Sequence, residues 1–293
     1  LKRAVEFNVI APNKPEDTEI SQRMEESVQG AFVYEPTPGL YKDIVVFDFR
    51  SLYPTIISAH NIGPEGFRCG CCADKPHVPG KEEYWFCSLE KKFMPSILEQ
   101  LISRRAEIKK QIKEAKLRKE NTSLLDALSY ALKILANSFY GYLGFYAARW
   151  YCLECAASTT AYARNYITST IAEAQKEGFK VIYADTDSCF LLLEGKKMED
   201  AMGFMEGINA NLPGKMELEL EGQYPLGIFV AIKGSEKGAK KKYALLKKDG
   251  SLKITGFETV RMNLSSLEKE PQEKVMQLVL QEKADEALNY VKD

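Results

Sequence analysis

Apolar and polar positions along the chain fall into blocks of two periods. The run "DIVVFDF" (43–49) is β-branched and aromatic without helical spacing, and it predicts a buried strand. It breaks at "RSLYPT", where Pro54 suits the first turn of a helix that "IISAHN" begins. A loop rich in Cys and Gly follows over 63–88. From Pro95 to about Glu120, apolar residues recur at 94, 97, 98, 101, 102, 108 and 112 while basic residues fill the other faces, which is helical spacing. "ENTS" (120–123) turns the chain, and a second helix runs from Leu124 to about Tyr140, ending at Gly141. The two form an antiparallel helical hairpin whose first arm reaches roughly 35–40 Å. A third helix is expected over 149–177, closed by Gly178. "KVIYADTDSCFLLL" then reads as strand, acidic turn, strand. A helix near 198–210, a β region over 216–257 and an amphipathic helical segment over 264–293 complete the chain. Residues 1–43 are mixed, with turn signals at "APNKPED" and "EPTPG". Strand, helical hairpin, helix, strand pair and sheet in that order predict an α+β fold rather than regular βαβ alternation.

Composition changes this picture little. With 293 residues, 45% apolar and 28% charged, the chain can bury the core of one large domain or two modest ones. No apolar run approaches the ~20 residues of a membrane span, and "LKRAVEFNVI" lacks the apolar stretch of a signal peptide. A soluble cytoplasmic protein is expected. Because the first residue is Leu, the chain reads as a segment of something longer.

Charge changes it more. The formal net charge is −1, yet ten Lys/Arg stand against three Glu between Lys91 and Lys119, and seven Lys against one Glu between Lys233 and Lys248. Acids collect elsewhere, as in "MELELEGQ" (216–223). Two basic clusters on a neutral chain predict local polyanion contacts, although solvated helix faces account equally well for charge alone.

Seven cysteines without a secretory context predict mainly reduced thiols or a metal site. Cys69, Cys71, Cys72 and Cys87, with His77 between them, offer enough soft ligands for zinc. Their spacing is not a regular CxxC…CxxC, and a disulfide or free thiols fit it as well. Cys152 and Cys155 stand at i, i+3 on a predicted helix, close enough for a strained bridge.

The candidate chemistry centres on "YADTDS" (183–188). In an extended chain Asp185 and Asp187 project to one face, and two carboxylates that close share a proton unless a cation is present. Hard oxygen ligands without histidine favour Mg²⁺ or Mn²⁺. Asp48 ends a second apolar strand, and three acids at strand ends are what a two-metal phosphoryl-transfer site requires. After Asp48, the backbone N–H groups of Ser51, Leu52 and Tyr53 can meet an anion. Lys133, Asn137 and Tyr140 share one helix face, suited to a phosphate and a base, and Arg105 and Lys109 at i, i+4 add charge. In "KKKY" (240–243), lysines suit a duplex backbone.

Together "DFRSLYPTII" (48–57), "KILANSFYG" (133–141) and "YADTDS" resemble motifs A, B and C of family B DNA polymerases, in order and at the expected separations. "KKKY" is similar to that family's KKxY element, and the likeness runs through "APNKP", "EPTPGL" and "RWYCLECA", closest to archaeal members. The resemblance implies a right-hand architecture: palm over 1–90 and 143–260, an antiparallel sheet with helices; fingers over 91–142; the start of a thumb over 261–293. It implies two-metal transfer of a deoxynucleotidyl group from a dNTP to a primer 3′-hydroxyl. Asp48, Asp187, Asp185 and the Phe49 carbonyl would hold two Mg²⁺ ions, for which Mn²⁺ can substitute. Arg105, Lys109, Lys133 and Asn137 would embrace the triphosphate, with Tyr53 as the steric gate against a ribose 2′-hydroxyl and Tyr140 near the nascent base pair. Thr186 would lie beside the primer end, and Lys240, Lys242 and Tyr243 near the primer–template duplex. Cys152 with Cys155, and one of Cys69–Cys72 with Cys87, fall where some thermophilic members carry disulfides, which raises a bridge above zinc.

Three departures from the family pattern stand out. "VQGA" (28–31) replaces YxGG and lacks its Tyr, "RMN" (261–263) stands where an RRD-like run is expected, and no DxE exonuclease motif precedes the palm. The expectation is therefore a polymerase core without proofreading. A second polypeptide or further domains would supply the exonuclease and thumb, in an archaeal, nucleoid-associated setting. Two other classes compete: a glycosyltransferase using DxD with Mn²⁺, which Asp48 and the Lys133 stripe oppose, and a catalytically silent DNA-binding subunit.

Overall fold

The computed structural model describes residues 2–257 and 266–292, so that "RMN" at 261–263 lies outside the described residues. The chain divides into two compact units. One comprises Leu1–Ala31, Arg50–Tyr166 and Leu212–Glu217; the other Phe32–Phe49, Ile167–Asn211 and Leu218–Asp293. This division cuts across the domain boundaries expected from the resemblance, since 91–142 falls within the same unit as 1–31.

The second unit is built on a seven-stranded antiparallel sheet. Its strands are β1 (Val33–Tyr34), β2 (Gly39–Phe49), β3 (Lys180–Asp185), β4 (Ser188–Leu192), β5 (Leu218–Ala231), β6 (Gly238–Leu246) and β7 (Leu252–Thr255), in spatial order β1-β3-β4-β2-β5-β6-β7. Ile44, Val45, Val46 and Phe47 are all wholly buried, which is why this stretch of β2 reads as continuously apolar. The strand starts earlier than the apolar run suggests. Gly39–Lys42 pair with β5 although Asp43 sits at φ +52, because ladder hydrogen bonds need no apolar side chain. Tyr183, Phe190, Phe229 and Tyr243 interlock at centroid distances of 5.2–5.9 Å. Helix α7 (Met198–Ala210) sets Phe204 against Phe47 and Phe179. The C-terminal helical segment is α8 (Ser266–Leu280) and α9 (Ala284–Lys292), with left-handed Glu282 between them.

The first unit is helical. Its segments α1 (Lys2–Glu6) and α2 (Asp17–Glu25) lie in the stretch that sequence leaves mixed; α2 buries no residue, so no apolar periodicity marks it. Helix α3 (Leu52–Ala59) follows the left-handed Ser51, φ +50, and buries Leu52, Pro54, Ile56 and Ile57. Helices α4 (Phe93–Leu117) and α5 (Ser123–Leu143) form the expected hairpin. The 25 residues of α4 span about 37 Å. Helix α6 runs from Leu153 to Lys176, its N-terminal part belonging to this unit. No helix among the described residues is long and apolar enough to cross a membrane.

His60 ends α3 against α6, its ring stacked on Tyr162 at 3.7 Å and its Nε2 2.7 Å from the Tyr166 hydroxyl. Burial lowers its pKa from 6.5 to about 4, so the folded chain keeps the ring neutral where the unfolded chain protonates it. Stability is therefore flat above pH 6.5 and falls as pH drops toward 4, by roughly 3 kcal/mol at 1.36 kcal/mol per unit. Urea unfolding across this range should show the native chain losing about that much more than His60→Phe, which keeps the stack without the titration; equal losses would remove His60 from the account.

Candidate functional site

Three of the acids singled out in sequence lie in the sheet unit. The ladder pairs Asp48 with Glu219 on one side and Ser188 on the other, and pairs Ser188 with Asp185. Directly opposed residues share a face, so Glu219, Asp48, Ser188 and Asp185 form one cross-strand row. Asp187 is placed differently. The chain is not extended through it: Asp187 N–H donates to the Asp185 carbonyl at 2.6 Å, closing a γ-turn around Thr186 at φ +59. The alternation argument for Asp185 and Asp187 thus fails, and a turn, not strand period, sets their relation.

The turn is held from both sides. Thr186 N–H donates to the Phe32 carbonyl at 3.0 Å, and Phe49 N–H to the Asp187 carbonyl at 2.8 Å. Asp185 is held by three groups: Lys241 Nζ lies 3.1 Å from Oδ1, and the Thr186 and Tyr183 hydroxyls donate at 3.0 and 3.2 Å. Lys241 in turn sits at φ +60 with its N–H on the Tyr183 hydroxyl. Of the "KKKY" residues expected at a duplex, Lys240 is exposed, Lys242 lies over the Phe257 ring at 5.2 Å, and the Tyr243 ring is a core residue only 8% exposed. Along β6 the three lysines lie toward the outside and Tyr243 begins the buried run, the strand period being broken at left-handed Lys241.

In the helical unit, Tyr53 and Tyr140 bring the first and second predicted motifs together, ring centroids 4.4 Å apart. Arg105 Nη1 donates to Ser51 Oγ at 3.3 Å, while its Nε is buried without a hydrogen-bond partner among the described residues. Arg104 turns instead to Glu107. Burial, then the neighbouring Arg50, lowers the Arg105 pKa; burial followed by Arg105, Arg50 and Lys113 lowers that of Lys109. Arg50 is paired with Glu217. This is a half-buried cation cluster, and an anion would relieve its repulsion. Lys133 and Asn137 stand exposed on α5. Leu52 is buried at the start of α3, offering only backbone.

A family model described as DNA polymerase family B matches residues 1–293. The chain belongs to DNA polymerase family B. It is 44% identical over 298 aligned residues to DNA polymerase 1 of Pyrococcus abyssi, covering all of this chain and 37% of that protein. The DNA polymerase of Thermococcus gorgonarius is 42% identical with the same coverage. The structure of the family B DNA polymerase from the hyperthermophilic archaeon Pyrobaculum calidifontis superposes with a TM-score of 0.69 at 32% identity, covering 99% of this chain and 36% of that one. The chain thus spans little more than a third of the length of the curated relatives it matches.

Within this family B chain, sequence reasoning missed three residues. Glu219 completes the acidic row, and its signal was the alternation of acids in "MELELEG". Lys241 is the lysine that meets Asp185, marked by nothing but its place between two others. Arg164 donates to the carbonyls of Gln29 and Gly30 and shares electrostatic interaction with Tyr53 and Tyr140. The "VQGA" segment is therefore fastened to α6 through its backbone, where Thr160 also donates to Gln29.

The oxygen-only donor set of Asp48, Asp185, Asp187 and the Phe49 carbonyl fits hard divalent cations such as Mg²⁺ or Mn²⁺. All seven cysteines stand as free thiols in the structure. Cys152 donates to Glu154 at 3.5 Å, and Cys155 is wholly buried, its pKa raised by burial. Cys69, Cys71, Cys72 and Cys87 converge, and the Ser88 hydroxyl and N–H draw the Cys72 thiol down to about 6. His77 is not among them; its ring nitrogens face the carbonyls of Glu82 and Ala73.

Gly256, at φ +71, backs Lys241 so closely that a Cβ would come within 1.8 Å of the Lys241 carbonyl. Gly256→Ala should cost at least about 2 kcal/mol in urea unfolding, from the left-handed backbone and this clash together. An unchanged midpoint would show that this backbone is free to move.

Proposed function

We propose that the chain carries the polymerase core of a family B enzyme and performs template-directed DNA synthesis. The primer 3′-hydroxyl attacks the α-phosphate of a dNTP, and pyrophosphate leaves. The observation that carries this reading is the family match over residues 1–293; the row that holds Asp48 and Asp185 and the cation cluster of Arg50, Arg105 and Lys109 support it. In this reading the palm takes 1–90 and 143–260, the fingers 91–142, and a thumb begins over 261–293. The remaining domains of relatives nearly three times as long would supply the exonuclease and most of the thumb.

Asp48, Asp187 and the Phe49 carbonyl would hold two divalent cations, with Asp185 close by as the lesser ligand, where Lys241, Thr186 and Tyr183 meet it. Bound there, the cations neutralise charge on the phosphate oxygens. Arg105 and Lys109 bind the triphosphate; the orphaned Arg105 Nε and the mutual repulsion of the cluster leave both groups short of an anion. Lys133 and Asn137 add a cation and an amide from α5. Ser51 and Leu52 present backbone N–H groups to the same anion. Tyr53, fixed against Tyr140, excludes a ribose 2′-hydroxyl by occupying its space. Tyr140 itself flanks the nascent base pair. Thr186 stands at the primer end, and Lys240 and Lys242 meet the duplex backbone, with Tyr243 anchoring their strand from the core.

Asp48→Ala and Asp187→Ala should each lower primer extension by at least about 10³-fold while duplex binding stays within a factor of a few. Extension is measured with the chain alone and again with host extract, which supplies any missing domains. Undiminished extension by either variant refutes the acidic site. Tyr53→Ala should admit ribonucleotides, read as the ratio of dNTP to rNTP incorporation; unchanged sugar selectivity would move the gate elsewhere.

A further inference from the structure

We infer that Cys69, Cys71, Cys72 and Cys87 form a structural zinc site in the loop between α3 and α4. Their four sulfur atoms all lie within 4.8 Å of one another. Cys71 Sγ is 3.6 Å from Cys72 Sγ and 3.9 Å from Cys87 Sγ. In a tetrahedral ZnS₄ centre with Zn–S of about 2.3 Å, the sulfur–sulfur edge is about 3.8 Å. Two of the edges are therefore already at the length the ion requires, and binding draws the widest pair inward by at most about 1 Å. A disulfide would use two of these thiols and leave two over. Sulfurs this close fit one four-coordinate ion and leave no room for an iron–sulfur cluster.

The surroundings complete the site. A β-bridge between Phe67 and Phe86, with Arg68 N–H on the Trp85 carbonyl and Cys87 N–H on the Gly66 carbonyl, brings the two ends of the loop together. Trp85 Nε1 donates to the Cys69 carbonyl at 2.9 Å, and Ser88 N–H donates to Cys72 Sγ at 3.4 Å, the outer hydrogen bonds that orient metal ligands. Cys72 and Cys87 are buried, whereas Cys71 is exposed and leaves an entry path. The knot also has something to hold. Asn61, just past α3, donates to the carbonyls of Cys87 and Glu90 at 2.6 and 2.8 Å and accepts from Lys92 N–H, the cap of α4. The ion would fix the root of the helix that carries Arg105 and Lys109.

Metal analysis of the chain, expressed with zinc in the medium, should give one zinc per chain. Cobalt substitution should give the absorption of a tetrahedral tetrathiolate. Cys71→Ser and Cys87→Ser should lose the metal, while Cys152→Ser retains it. On the unmutated chain, release of zinc by a mercurial should lower the melting temperature by more than about 5 °C. The inference is overturned by a metal-free chain with four reactive thiols, by a Cys–Cys crosslink on non-reducing peptide mapping of the loop, by iron in place of zinc, or by zinc that survives both serine substitutions.

Discussion

The hydrogen bond from Phe49 N–H to the Asp187 carbonyl, with its counterpart from Thr186 N–H to Phe32, constrains the acidic centre. A β-branched residue at φ +59 is strained by about 1–3 kcal/mol and persists only where its surroundings fix it. Here both flanking chains do so, and one of them is the residue that follows Asp48. The sheet behind cannot yield: Val45, Val46, Phe47, Cys189 and Phe190 are wholly buried, and a slip of one residue would turn every one of them to the opposite face. Rigidity in the core thus places the acids of β2, β3 and β5 in one row, and strain at the tip places Asp187 outside it.

Each unit concentrates charge of one sign at a cost to itself. Two like charges 4 Å apart repel by about 1 kcal/mol in water and by several times that where solvent is partly excluded. Burial first, and after it the repulsion of neighbouring cations, lowers the pKa values of Arg105 and Lys109, with Glu217 paired to Arg50 beside them. In the sheet unit Lys241 is likewise paired to Asp185. Under the proposed function both clusters supply binding energy for ligands of the opposite sign, phosphate for one and divalent cations for the other.

How the cationic helix is rooted is a separate matter of packing. α4 is far longer than its own core contacts need, with Ile108, Ile112 and Ala115 the buried residues of its outer half. A long arm is only as well placed as its base. The side chain of Asn61, 8% exposed and bonded to three backbone groups, makes that base one piece with the end of α3 and the cysteine loop.

Much of this was legible in the sequence because it rests on local period and on residue chemistry. Helical spacing fixed α4, α5 and α7 to within a few residues, and the apolar runs around Asp48 and Asp185 marked β2, β3 and β4. The acids, Tyr53 and the Lys133 stripe were recognisable as types that bind metal and phosphate. What sequence could not supply depends on contacts between distant segments. Glu219 reaches Asp48 only through strand register, Lys241 reaches Asp185 only because a left-handed residue on β6 turns it there, and Arg164 finds Gln29 across 135 residues of chain. The same holds for the cysteines: their spacing left zinc, a disulfide and free thiols open, and only the folded loop brings four sulfurs to one point.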